Sequence, residues 1–128
     1  MAPLILLVED HLDSRQMYAE FMATMYDVKE AGNGTDALRL MEDRPPDVLV
    51  TDLSLPDIDG FELITRMRQN PKLVDVPVIC LSGYGGHAHE ARAKSLRCER
   101  LLQKPCLPDT LADAVADVLG ASRRRGQG

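Results

Sequence analysis

Four of the five short apolar runs in this 128-residue chain stop on a residue able to do chemistry. LILLV (4–8) is followed by Glu9 and Asp10, DVLVTD (47–52) ends in Asp52, VPVICLS (76–82) ends in Ser82 and RLLQK (100–104) ends in Lys104. The remaining run, YDVKEA (26–31), ends in Ala31. An ionised carboxylate beside a core is costly unless something compensates it. Three carboxylates brought together repel, and one takes up a proton unless a cation binds. Every donor in the set is oxygen, which suits a hard ion. Mg²⁺ takes one or two carboxylates, keeps several waters and bridges readily to phosphate. Lys104 and Ser82 supply a point charge and a hydroxyl donor for phosphoryl oxygens. Asp52 can then act as a nucleophile, as carboxylates do in aspartyl-phosphate chemistry. One acid at a strand end is ordinarily a loop residue. Complementary groups at four of five strand ends are a set.

The set has meaning only if the strand ends converge. Runs one, three and four are nearly continuously apolar, as in strands covered on both faces. The second is short and mixed and the fifth is weaker, so both read as edges. Helical spacing fills the gaps. Tyr18, Phe21, Met22 and Met25 mark a first helix that Asp13 or Ser14 can cap. Residues 35–41 form a second, stopped by Pro45-Pro46. Phe61, Ile64 and Met67 mark a third, ending before Pro71. Leu111, Val115, Val118 and Leu119 mark the last, with Pro108 early and Gly120 just past its end. The fourth gap, AHEARAKSLRC, has helical composition but offers mainly alanine to a core, so its helix should be shallowly anchored. Five alternations of strand and helix predict an α/β fold, a doubly wound five-stranded parallel sheet of flavodoxin-like (βα)5 type. Ligands of such sheets bind beyond the carboxyl ends of the strands, where all five chemical residues lie.

The bulk numbers exclude several classes. The chain is 45% hydrophobic, with no Trp and two Phe, so its core is aliphatic. The formal charge is -5, and three of the fifteen basic residues are Arg123-Arg124-Arg125. The remaining body has twelve basic against twenty acidic residues, which argues against nucleic acid as a partner. The longest apolar run is too short for a membrane span or signal peptide. The reading is a cytoplasmic protein with no membrane association, one domain over residues 1–121 and a disordered basic tail over 122–128. Cys80, Cys98 and Cys106 are odd in number and lack CxxC spacing, consistent with a reducing compartment. Cys80 reads as a small core residue, and nothing near Cys106 is built to lower its pKa. His11, His87 and His89 have no Cys or carboxylate at zinc-ligand spacing.

At this point the sequence resembles the receiver domain of bacterial two-component response regulators (CheY-like) over about residues 4–119. Glu9-Asp10 looks like the acidic pair, Asp52 the phospho-acceptor, Ser82 the Ser/Thr position and Lys104-Pro105 the Lys-Pro signature. DLSLPDIDG (52–60) is similar to the loop after the family's third strand, and AGNG (31–34) followed by Ala37-Leu38 to its turn into the second helix. The resemblance implies strand order 2-1-3-4-5 and a cis Lys104–Pro105 peptide. It implies Mg²⁺ held by Asp10, Asp52 and the Ser54 main-chain carbonyl, with Glu9 acting mostly through water. It implies phosphoryl transfer from a sensor histidine kinase or a histidine phosphotransfer protein, and contact with an unknown downstream protein through the fourth helix, fifth strand and fifth helix. The protein would be a signalling switch, monomeric or weakly dimeric, catalysing only its own phosphorylation and dephosphorylation. Ser54 and Tyr84 occupy the positions that tune dephosphorylation in relatives, and Gly83 opens the loop that would move. Two departures stand out. Leu101 takes the place of the family's switching Tyr or Phe, and Arg97 stands where relatives tend to have the Gly that ends the fourth helix. The alternatives are a receiver that is part of a larger regulator or hybrid kinase, a pseudo-receiver scaffold that is never phosphorylated, and a flavodoxin-like cofactor module. The acidic loop after the first strand counts against the last of these, since it has no Gly-rich phosphate cradle.

Overall fold

The computed structural model describes residues 2–83 and 86–127, with side chains up to Ser122. Ten elements alternate: β1 (Leu4–Val8), α1 (Leu12–Met22), β2 (Asp27–Ala31), α2 (Gly34–Asp43), β3 (Val48–Asp52), α3 (Gly60–Arg68), β4 (Val78–Ser82), α4 (His87–Ser95), β5 (Arg100–Gln103) and α5 (Pro108–Gln127). The strands form one parallel sheet in the order β2-β1-β3-β4-β5.

The three central strands are buried along their whole length, which explains their unbroken apolar runs. Successive side chains point to opposite faces, so each strand feeds two cores. Leu6, Val8, Leu49, Val78 and Cys80 meet Met41 of α2, Phe61, Ile64 and Met67 of α3 and Ala93 of α4. Ile5, Leu7, Val50, Ile79 and Leu81 meet Tyr18 and Met22 of α1 and Leu111, Val115 and Val118 of α5. The edge strands β2 and β5 are mostly exposed or half-buried, as expected from their mixed composition.

Helix starts depend on short-range chemistry. Asn33 caps α2 by accepting from the Asp36 N–H at 2.8 Å. Asp59 caps α3 by accepting from the Glu62 N–H at 2.8 Å. The first helix departs from expectation. Its N-cap is His11, without a side-chain cap, and neither Asp13 nor Ser14 does that work, because both lie inside the helix. Its inward face is Tyr18, Ala19 and Met22, while Phe21 and Met25 are exposed. At about 100° per residue Phe21 falls well to one side of that face, and Met25 lies past the helix end.

Helix α4 buries only Ala93, the shallow anchor its composition implies. Arg97 closes it with φ 62°, the left-handed conformation that favours glycine. The Cys98 N–H returns to the Ala93 carbonyl (2.9 Å) and the Arg97 N–H to the Lys94 carbonyl (3.0 Å). This is a complete Schellman closure with arginine in the glycine position. Helix α5 does not stop at Gly120 but continues to Gln127. A glycine inside a helix costs only about 1 kcal/mol relative to alanine, too little by itself to end one.

Candidate functional site

Each residue of the rim is delivered by a strand end. The parallel register pairs Val8 with Thr51, Asp52 with Leu81 and Ser82 with Gln103, so Glu9, Asp52, Ser82 and Lys104 emerge from one edge of the sheet. Backbone pairing continues past the strands: the Glu9 N–H donates to Ala31, the Leu53 N–H to Leu81 and the Lys104 N–H to Ser82 (2.7–3.0 Å). These bonds fix where the side chains start. Lys104–Pro105 is a cis peptide, as the resemblance implies. The Tyr18 hydroxyl donates to the Cys106 carbonyl at 2.7 Å, tying α1 to the segment that carries the lysine.

Glu9 and Asp52 are buried, at 0% and 4% exposure, and Asp10 is exposed. One oxygen from each of the three lies within 4.8 Å of the others. Lys104 Nζ donates to Glu9 Oε2 at 2.9 Å and to Asp52 Oδ2. The Ser54 N–H donates to Asp52 Oδ1 at 2.9 Å, so both oxygens of Asp52 are engaged. Arg15 Nη1 donates to the Glu9 main-chain carbonyl at 2.9 Å and Nε to Glu30 at 3.2 Å, holding the β1 end against β2. Burial, then the shared hydrogen bond with Asp52, push the Glu9 carboxyl above its ordinary value of 4.5, with Lys104 pulling the other way. Burial alone would depress the Lys104 ammonium, but Asp52 and Glu9 together hold it above 10.5. Two buried acids and one ammonium leave an excess negative charge open to solvent at Asp10. An all-oxygen triad at this spacing fits Mg²⁺, and no nitrogen or sulfur ligand competes within it.

Ser82 is buried (3% exposed), with its Oγ 3.4 Å from His89 Nδ1. It shares a cleft with Ser54, Gly83, His89 and Arg92. His89 meets Phe61 edge-on, ring centroids 5.5 Å apart, and the Arg92 guanidinium lies 4.7 Å from the same ring. These two side chains were not singled out from the sequence as part of the site. Their spacing of three on one helix face was the available signal. Leu101 is half-buried and borders a neighbouring cleft with Ser82, His87, Glu90 and Gln103. Tyr84 lies outside the described residues.

The loop from Asp52 to α3 folds back tightly. The Gly60 N–H donates to the Leu53 carbonyl at 2.9 Å, and a Cβ at Gly60 would sit 2.6 Å from the Asp52 carbonyl oxygen and 2.8 Å from Leu53 Cα. Only glycine allows that approach.

A doubly wound sheet carries an acidic triad, a lysine and a buried hydroxyl at its carboxyl rim, and comparison with known proteins places this arrangement in a class of signalling domain. Residues 5–116 match the family model of the response regulator receiver domain, and the chain belongs to that family. It is 31% identical over 117 residues to the sensor histidine kinase TmoS of Ectopseudomonas mendocina, covering 91% of this chain but only 12% of that protein. It is 30% identical over 125 residues to a chemotaxis protein CheY homologue of Campylobacter jejuni, covering 95% of this chain and 96% of that one. Among solved structures, the signal receiver domain of a LuxO repressor protein from Vibrio parahaemolyticus superposes with a TM-score of 0.92 at 26% identity, covering 99% and 97% of the two chains. No helix among the described residues is long and apolar enough to cross a membrane.

Proposed function

We propose that this chain is a Mg²⁺-dependent phospho-acceptor that takes a phosphoryl group onto Asp52 from a phosphohistidine of a sensor kinase or phosphotransfer protein. The observation that carries the reading is the contact of Lys104 with both buried acids, Glu9 and Asp52, beside the exposed Asp10. Glu9, Asp10 and Asp52, with the Ser54 carbonyl, would hold the ion, which when bound offsets charge on the attacking and transferred oxygens. An oxygen of Asp52 attacks phosphorus, the P–O bond forms as the P–N bond breaks, and the electron pair returns to the donor imidazole. Lys104, already paired with Asp52, shifts its ion pair to a phosphoryl oxygen and keeps its charge. Ser82 donates its hydroxyl to another. Ser54 is exposed and leaves water a path for hydrolysis of the aspartyl phosphate.

The phosphoryl group adds about -1.5 to -2 charges and three acceptors. Ser82 and Lys104 close on it and draw α4 with them. Leu101, an aliphatic side chain in the switch position, lets α4 settle without an aromatic rotation. The signal leaves through the α4-β5-α5 face to a protein partner in the cytoplasm, from a monomer or weak dimer. The complete set of five rim residues favours this over a silent scaffold. The match to a stretch of TmoS supports a second setting, the same switch as one domain of a hybrid kinase. Mass spectrometry after acetyl phosphate and Mg²⁺ tests the reading. Wild type should gain one phosphoryl group, and neither Asp52→Asn nor the metal-free protein should. An unphosphorylated wild type, or a phosphorylated Asp52→Asn, overturns it.

A further inference from the structure

The left-handed turn at Arg97 sets Cys98 against the adjoining strand. Its Sγ lies 3.4 Å from Sγ of Cys80, and the Cys80 thiol donates its proton toward it. The two positions are 18 residues apart, and the chain between them holds Ser82, the β4–α4 loop and all of α4. Disulfide sulfurs stand about 2.0 Å apart, so the pair needs to close by little more than an ångström.

The two thiols are not equivalent. Cys80 is fully buried. Cys98 is partly exposed and borders an open cleft of ≈ 730 Å³. Arg68 reaches into that cleft from α3 and donates to the carbonyls of Val74, Val76, Leu96 and Arg97 at 2.8–3.3 Å. Arg97 adds a second guanidinium, and Asp75 and Glu99 are the acids facing it. The hydrogen bond from Cys80, together with Arg68, holds the Cys98 thiol below its ordinary value of 9.0 against the opposing effect of burial. The bond to Cys98 and burial push Cys80 up. The partly exposed sulfur is therefore the better nucleophile, and the buried one keeps its proton until it is needed.

We propose that Cys98 and Cys80 are a peroxide-oxidisable thiol pair, with Cys98 the attacking and Cys80 the resolving sulfur. The Cys98 thiolate attacks hydrogen peroxide, an S–O bond forms and the O–O bond breaks, and the departing hydroxide leaves as water with the proton Cys98 had lost. Cys80 then attacks the Cys98 sulfenic acid. The S–S bond forms, the S–O bond breaks, and hydroxide leaves as water with the Cys80 proton. Two thiols and one peroxide give one disulfide and two waters, with the sulfurs oxidised by the two electrons that reduce the peroxide. The product ties both ends of the segment carrying α4, the helix with the least buried anchor, independently of any chemistry at Asp52.

Hydrogen peroxide treatment of the full folded chain, followed by intact mass and peptide mapping, tests the pair. Wild type and Cys106→Ser should each lose two hydrogen atoms, yield a Cys80–Cys98 linked peptide and recover on addition of dithiothreitol. Cys80→Ser should accumulate a dimedone-reactive sulfenic acid at Cys98, and Cys80→Ala, which adds no polar atom to the core, should do the same. Cys98→Ser should consume peroxide about tenfold more slowly or less. Oxidation of Cys106 ahead of the pair overturns the proposal. So does over-oxidation of Cys98 while Cys80 stays a thiol, or a thiol reactivity no greater in the folded chain than in urea.

Discussion

Glu9 is fully buried and depends on Lys104 for its charge partner, which Asp52 shares. Removing one member of a buried pair strands the other, at a cost of about 3–5 kcal/mol when it is fully enclosed. Lys104 is a quarter exposed, so Lys104→Met should lower stability by about 2–3 kcal/mol, at or just below the lower end of that range. An added divalent ion restores part of the missing charge. The Mg²⁺-induced rise in thermal midpoint should therefore be larger in Lys104→Met than in wild type, and vanish in Asp10→Asn. Equal shifts in all three proteins, measured by calorimetry, would place the ion elsewhere. The elevated Glu9 carboxyl adds a pH dependence. A carboxyl raised on folding binds its proton more tightly in the native state, so in the metal-free protein it contributes stability at acid pH that is lost as pH rises from 4.5 through the raised value. The ion needs the deprotonated form. Its stabilising increment should thus grow with pH across the same window, and a pH-independent increment would exclude Glu9 from the metal's surroundings.

At the level of elements, the loop after β3 packs Leu53, Leu55 and Ile58 against one core and is also held by a polar clamp on its neighbour. Asp57 accepts from the N–H groups of Gly34 (2.9 Å) and Thr35 (2.8 Å) and from the Thr35 hydroxyl, clamping the loop onto the start of α2. These donors hold the Asp57 carboxyl well below its ordinary 3.8, the Thr35 hydroxyl foremost. A depressed carboxyl contributes stability above its unfolded value and loses it as pH falls through the folded one. Asp57→Asn should therefore lower the thermal midpoint at neutral pH, with the difference from wild type shrinking as pH drops below 3.8. Gly60→Ala meets backbone at 2.6 Å and should cost about 1–3 kcal/mol, measured by urea unfolding. The three central strands were legible in the sequence because double-sided burial leaves an unbroken apolar run, and the rim residues because each stands at the end of a strand-like run. Helix α1 was less legible: its cap is a histidine, Phe21 is exposed, and Met25 lies beyond its end. The approach of Cys98 to Cys80 was not legible at all, since it depends on the backbone of Arg97, an arginine where glycine is the usual signal.

Across the whole molecule the sheet is asymmetric in how firmly its helices are held. Helices α1 and α5 share one deep core with the central strands, and α3 sinks four residues, Phe61, Leu63, Ile64 and Met67, into the other. Helix α4 contributes only Ala93 to it. Few buried apolar contacts mean a low local opening free energy, and the chain from Ser82 to Lys104 runs through this loosely held region between two residues of the rim. A phosphoryl group that draws both inward should therefore act first on that stretch. Coupling of about 1–3 kcal/mol changes partner affinity several-fold to a hundredfold. Hydrogen exchange with and without beryllofluoride and Mg²⁺ would read this directly. Protection should change within residues 82–104 and stay nearly constant in β1, β3 and the buried face of α5. If the change is spread evenly over the sheet, α4 is not the moving part. If residues 82–104 do not respond at all, the rim does not communicate with the α4-β5-α5 face, and the switch described here has no output.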